Sequence, residues 1–130
     1  MRPLITISAF ALALAACTTS PASPAGSSRV ADGTSVQLAP GQSATLADDS
    51  RIDYLELAGD SRCRPDVQCV WAGDATIAMR WTPASGAARD FELHTTLDPK
   101  SFGAGMRTIT LQALERGDAP KATLRIDSKP

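Results

Sequence analysis

The sequence predicts an all-β protein: a small antiparallel β-sandwich, immunoglobulin-like in general architecture, behind a signal peptide and a flexible tether. Three observations predict it. Short segments of apolar–polar alternation recur between residues 34 and 128, separated by clusters of Pro, Gly, Asp and Ser. Period-two alternation repeated between turn signals is the pattern of half-solvated antiparallel strands. An apolar leader precedes them, and the stretch joining the two has almost no large apolar side chain with which to pack.

The strand segments follow in order. Residues 34–38 place Val36 and Leu38 on one face, Ser35 and Gln37 on the other. Pro40-Gly41 then turns the chain, since Pro presets φ and Gly accepts positive φ. Residues 42–46 carry Ala44 and Leu46 inward before Asp48-Asp49-Ser50 breaks the pattern. Residues 51–57 have Ile52 and Tyr54 on one side but Leu55 and Leu57 on the other, which requires burial on both faces or a bulge. Residues 75–81 align Ala75, Ile77, Met79 and Trp81 against Thr76, Ala78 and Arg80. Residues 88–94 put Phe91 and Leu93 in, with Asp90, Glu92 and His94 out. Asp98-Pro99 and Gly103-Ala104-Gly105 bracket an expected irregular loop. Residues 106–114 turn Ile109, Leu111 and Ala113 inward, and residues 121–127 do the same with Ala122, Leu124 and Ile126. Seven such segments suit a small two-sheet sandwich; a single sheet or small barrel is the alternative. A helix over 111–114 is too short to stand alone.

Composition narrows the function classes. At 130 residues and 13.6 kDa the chain fits one domain. Lys+Arg 13 against Asp+Glu 14 gives no basic excess, so nucleic acid is not an expected partner. No apolar run reaches the roughly 20 residues of a membrane-spanning helix. Three Cys and one His are too few for a large metal cluster made by this chain alone.

The leader opens with Arg2 and continues as a mostly apolar run from Leu4 to Ala16. Leu14-Ala15-Ala16-Cys17 resembles the lipobox of bacterial lipoproteins. The resemblance implies diacylglycerol on the Cys17 sulfur, cleavage just before it and acylation of the new amine by chains such as palmitate. It divides the chain into a signal peptide (1–16), a lipidated Cys with a flexible linker (17–33) and the β-sandwich domain (34–130). Two or three acyl chains hold firmly where one binds reversibly, so the expected partner is a membrane, reached through lipid on Cys17. Thr18, rather than Asp, follows the Cys. In Gram-negative lipoproteins this implies the periplasmic face of the outer membrane. An ordinary secretory signal with an incidental Cys is the alternative. Residues 18–33 are rich in Ser, Thr, Pro, Ala and Gly and read as a tether spanning roughly 20–25 Å.

The most specific stretch of the mature chain is Asp60-Ser61-Arg62-Cys63, five residues, then Cys69-Val70-Trp71-Ala72-Gly73. With Cys17 lipidated and the domain outside the cytoplasm, Cys63 and Cys69 are expected to form one disulfide. Closing so small a loop contributes about 2–2.5 kcal/mol in the chain-entropy model. If Trp71 lay on a strand, it would share a face with Cys69 and could cover the bridge. The stretch resembles a group of small uncharacterised bacterial secreted proteins and lipoproteins. In that group a Pro often follows the first Cys directly, whereas here Arg64 intervenes before Pro65. The resemblance implies a compact envelope domain and brings no activity or cofactor with it.

The resulting expectation is a non-enzymatic, cofactor-free envelope lipoprotein that binds an unknown envelope protein or ligand, or serves a structural role. Arg62, Arg64, Asp66 and Trp71 form the candidate contact surface, because a stapled loop binds with little ordering cost. The competing expectation is a small hydrolase or metal-binding protein built on His94 and carboxylates. It lacks a Gly-x-Ser-x-Gly motif. It also lacks clustered Cys and His for zinc. Asp48, Asp49, Asp53, Asp60, Asp66 and Asp74 supply carboxylates, but not in a calcium-loop pattern. The Cys spacing is not that of thioredoxin-like redox motifs.

Overall fold

A computed structural model describes residues 27–130. It is all-β, with nine strands: β1 (Ser27–Arg29), β2 (Thr34–Leu38), β3 (Ser43–Thr45), β4 (Arg51–Asp60), β5 (Ala75–Thr82), β6 (Arg89–His94), β7 (Ser101–Ala104), β8 (Arg107–Leu114) and β9 (Ala122–Ser128). They form a five-stranded sheet, ordered β1-β3-β4-β5-β6, and a four-stranded sheet, ordered β2-β9-β8-β7. Every pairing is antiparallel except β1 with β3. Among the described residues no helix is long and apolar enough to cross a membrane.

Alternation decides which face each strand buries. Ala75, Ile77 and Met79 of β5 are fully buried, with Trp81 nearly so. Across the sandwich Ile77, Met79 and Trp81 meet Ile109 and Leu111 of β8 and Ala122, Leu124 and Ile126 of β9 in one apolar cluster. Val30, Leu38, Ala44, Leu46, Ile52, Tyr54, Leu93 and Ala104 complete it.

Bulges restore the pattern where simple alternation fails. The β4–β5 register shifts between Tyr54 and Glu56 and again between Leu57 and Gly59. The first shift leaves Leu55 on the outside and returns Leu57 to the core. A third shift, between Leu111 and Ala113 on β8, corrects the expectation for Ala113. The extra residue turns Ala113 to solvent and Leu114 toward the core.

Two strands were not expected. β7 lies within the stretch read as an irregular loop. Its Phe102 stacks on Phe91 of β6 with ring centres 3.9 Å apart and meets the edge of Trp81 at 6.2 Å. The Arg89 guanidinium sits 5.8 Å from the Phe102 ring centre. These contacts close the open side of the sandwich between the two sheets. β1 falls inside residues 17–33, so the boundary at residue 34 is corrected to one no later than Ser27. Ser27-Ser28-Arg29 has no apolar side chain; it is held by pairing with β3 and by Val30, which is buried and donates its amide to the Thr45 carbonyl at 2.8 Å.

Leu124 is fully buried at the centre of the two-sheet interface. Leu124→Ala is expected to destabilise the domain by about 2–5 kcal/mol, read as a lowered urea midpoint with an unchanged slope.

Candidate functional site

The loop joining β4 to β5 (residues 61–74) contains no regular strand, yet its base is closed by backbone hydrogen bonds. The Ser61 amide donates to the Asp74 carbonyl at 2.7 Å, and the Cys63 amide to the Ala72 carbonyl at 2.9 Å. The two sides approach so closely that a Cβ at residue 73 would overlap the Ser61 carbonyl. Gly73 also has a φ of +75°, a left-handed conformation that glycine adopts freely. Further out, Cys63 and Cys69 form the expected disulfide, with a Cα–Cα distance of 5.9 Å.

Arg62 ties this loop to the opposite sheet. Its guanidinium donates to both Asp60 carboxylate oxygens at 2.9 and 2.6 Å. It also donates to the Leu114 and Glu115 carbonyls at the end of β8, each at 2.7 Å. The side chain is only 11% exposed. Hydrogen bonds from Arg62 hold the Asp60 carboxyl below its ordinary range despite partial burial. Arg62 is therefore a structural tie, with four of its five guanidinium N–H donors committed inside the fold, and it also borders the hollow that Arg64 and Asp66 line.

The other expected contact residues separate onto two hollows. Arg64 and Asp66 are exposed, 3.8 Å apart, and line a hollow of about 370 Å³ together with Asp60, Arg62, Pro65, Arg116 and Gly117. Arg116 donates to the Cys63 carbonyl at 2.8 Å. Trp71, 53% exposed, lines a different, more open groove of about 400 Å³ with Ser61, Thr76, His94 and Leu97. Because Trp71 is not on a strand, the strand geometry that would align it with Cys69 is absent.

Alternation alone places His94 in solvent, but Asp74 changes its surroundings. Asp74 lies just before β5 and is buried. It accepts a hydrogen bond from His94 Nδ1 at 2.6 Å and from the Thr96 and Leu97 amides at 2.8 and 3.2 Å. His94 keeps the outward face of β6, opposite Leu93 and paired with Thr76, but its side chain is only 18% exposed. Burial pushes the Asp74 carboxyl up, but the bonds from His94 and the two amides outweigh it. The group is held well below the usual carboxylate range. Asp74 thus joins the start of β5, the end of β6 and the turn that follows. The sequence marked both residues but not their pairing, since twenty residues separate them.

The six carboxylates weighed for calcium each face a basic partner. Asp48 meets Arg107, Asp49 meets Arg29 and Asp53 meets Arg51. Asp60 meets Arg62, Asp66 meets Arg64 and Asp74 meets His94. Among the described residues no three His, Cys, Asp or Glu side chains converge as a metal site. Cys17 lies outside the described residues. Comparison with protein-family models, curated proteins and solved structures finds no match to this chain.

The depressed Asp74 value fixes a sign. Its contribution to stability is complete above the ordinary aspartate pKa of about 3.9 and drains away as pH falls below it toward the folded-state value. Asp74→Asn is expected to cost about 1–3 kcal/mol at neutral pH and to flatten the loss of stability below pH of about 4. Urea unfolding across pH checks both, and an unchanged acid limb would refute the assignment.

Proposed function

We propose that this chain is a membrane-anchored bacterial envelope lipoprotein, held by lipid on Cys17, whose sandwich is a non-enzymatic binding module. The observation that most supports a binding role is the apolar surface of the stapled loop. Val70 is wholly exposed, Trp71 half-exposed and Val67 42% exposed. Disulfide closure and the paired base hold this surface in place, so a partner meets apolar area whose ordering cost is already met by the fold. Arg64 and Asp66 add exposed charges of opposite sign beside it. The partner is an envelope protein or ligand.

A hydrolase reading draws on the Asp74–His94 pair, which has the orienting arrangement of a catalytic triad. Thr76 Oγ1 lies 3.1 Å from the same Nδ1 that Asp74 uses, so it is not placed as a nucleophile activated by Nε2. The binding reading accounts for more of this end of the molecule.

Two measurements test the proposal. Intact mass of the protein from host membranes should show Cys17 at the N-terminus carrying acyl chains; retention of residues 1–16 would overturn the anchor. Crosslinking in envelopes should capture a partner that is lost, by about tenfold or more, on Val70→Asp or on joint replacement of Arg64 and Asp66 by Ala. An unchanged capture profile would overturn the loop as the contact surface.

A further inference from the structure

We propose that the groove between Trp71 and His94 is a subsite for an uncharged sugar ring, one pyranose unit of a glycan. Trp71 supplies the stacking face and His94 Nε2 reads a ring hydroxyl. This inference rests on the binding reading above and names the ligand chemistry for one part of that end of the molecule.

The histidine sets the first requirement. Asp74 accepts from Nδ1 at 2.6 Å, so the proton on that nitrogen is fixed and Nε2 is left to the groove. No hydrogen bond engages Nε2 among the described residues. In the neutral ring Nε2 accepts; in the protonated ring it donates. A hydroxyl answers both states, because it is donor and acceptor at once. A carboxylate or phosphate answers only the protonated ring, and an ammonium only the neutral one.

Charge sets the second requirement. Two carboxylates, Asp60 and Asp74, line the groove, and no Lys or Arg does. An anionic ligand would therefore find no lysine or arginine partner there. A cation would find Asp60 already chelated by Arg62 and Asp74 by His94 and two amides. The groove is selective for a neutral ligand.

Shape sets the third. The half-exposed Trp71 indole and the exposed Leu97 present apolar surface in the same groove as the Ser61 and Thr76 hydroxyl side chains. A pyranose has the matching anatomy, with an apolar C–H face and a rim of hydroxyls. An aromatic wall with a few fixed polar atoms is the usual composition of a small-ligand site. The groove is open rather than enclosed, which suits a ring within a longer chain. The closing bonds at Cys63–Ala72 and Ser61–Asp74 hold Trp71 in position before any ligand arrives.

The test uses full-length protein in a detergent without a sugar headgroup. The chain has two Trp, and Trp81 is only 8% exposed, so a ligand-dependent emission change reports on Trp71. Titration with cellotetraose and with chitotetraose should give a saturable change for at least one, with Kd between about 0.1 and 5 mM. Calorimetry should show binding lost in Trp71→Ala. It should show binding weakened about tenfold in His94→Ala and largely kept in His94→Gln, which can also donate and accept. Circular dichroism verifies that each variant is folded, and Trp71→Phe, expected to retain binding, guards against a folding defect. No saturable change with either tetrasaccharide up to about 10 mM overturns the proposal. So does binding that Trp71→Ala leaves intact, or saturation by a neutral proline-rich peptide alone. Loss of glycan binding with the envelope partner still captured by the loop would sink this inference and leave the broader reading standing. Neither glycan binding nor loop-dependent capture would sink both.

Discussion

Neither sheet is stable in water by itself: each carries a row of apolar side chains whose only cover is the other sheet. The strand bulges and the aromatic edge of the sandwich accommodate that constraint. Long strands must keep their apolar residues on one side even where the sequence slips out of phase, and the bulges near Leu55 and Gln112 correct the slip. The side of the sandwich that the strands leave open is sealed by the Phe91, Phe102 and Trp81 rings.

The loop end is governed by polar contacts instead. Here the apolar layer stops, and two charged side chains take over the work of holding elements together. Arg62 joins the β4 end to the β8 end, and Asp74 joins the β5 start to the β6 end. Each is surrounded by hydrogen-bonding partners, which is the condition under which a charge tolerates partial burial. Their effect is to give an irregular loop a defined base. The disulfide fixes its far end, and the residues between present apolar surface to solvent. A single loop thus contributes to two hollows of different character: a charged one at Arg64 and Asp66, an aromatic one at Trp71.

Much of this was legible in the sequence. Seven strands, the all-β class, the buried faces of β5 and β9 and the Cys63–Cys69 pairing follow from alternation and cysteine arithmetic. What escaped did so for identifiable reasons. Ser101-Phe102-Gly103-Ala104 is too short, and broken by Gly, to display a period. Ser27-Ser28-Arg29 shows no hydrophobic signal, since backbone pairing holds it rather than side-chain burial. The bulge that exposes Ala113 cannot be placed from a sequence in which Leu111, Ala113 and Leu114 are all apolar. At the site, sequence picked out Trp71 and His94 for separate reasons. Their common groove is created by long-range contacts that local pattern does not encode.

The first described strand has a mechanical consequence. Tension entering from upstream of Ser27 reaches the domain through the β1–β3 ladder, only three residues long, and the anchoring Val30 side chain. The main sheets are joined by longer ladders and by the full apolar layer. Under load β1 would peel away first, lengthening the connection while the remaining sandwich kept its shape. The short edge strand is in effect a yielding joint between whatever holds the N-terminal side and the surface displayed at the stapled end.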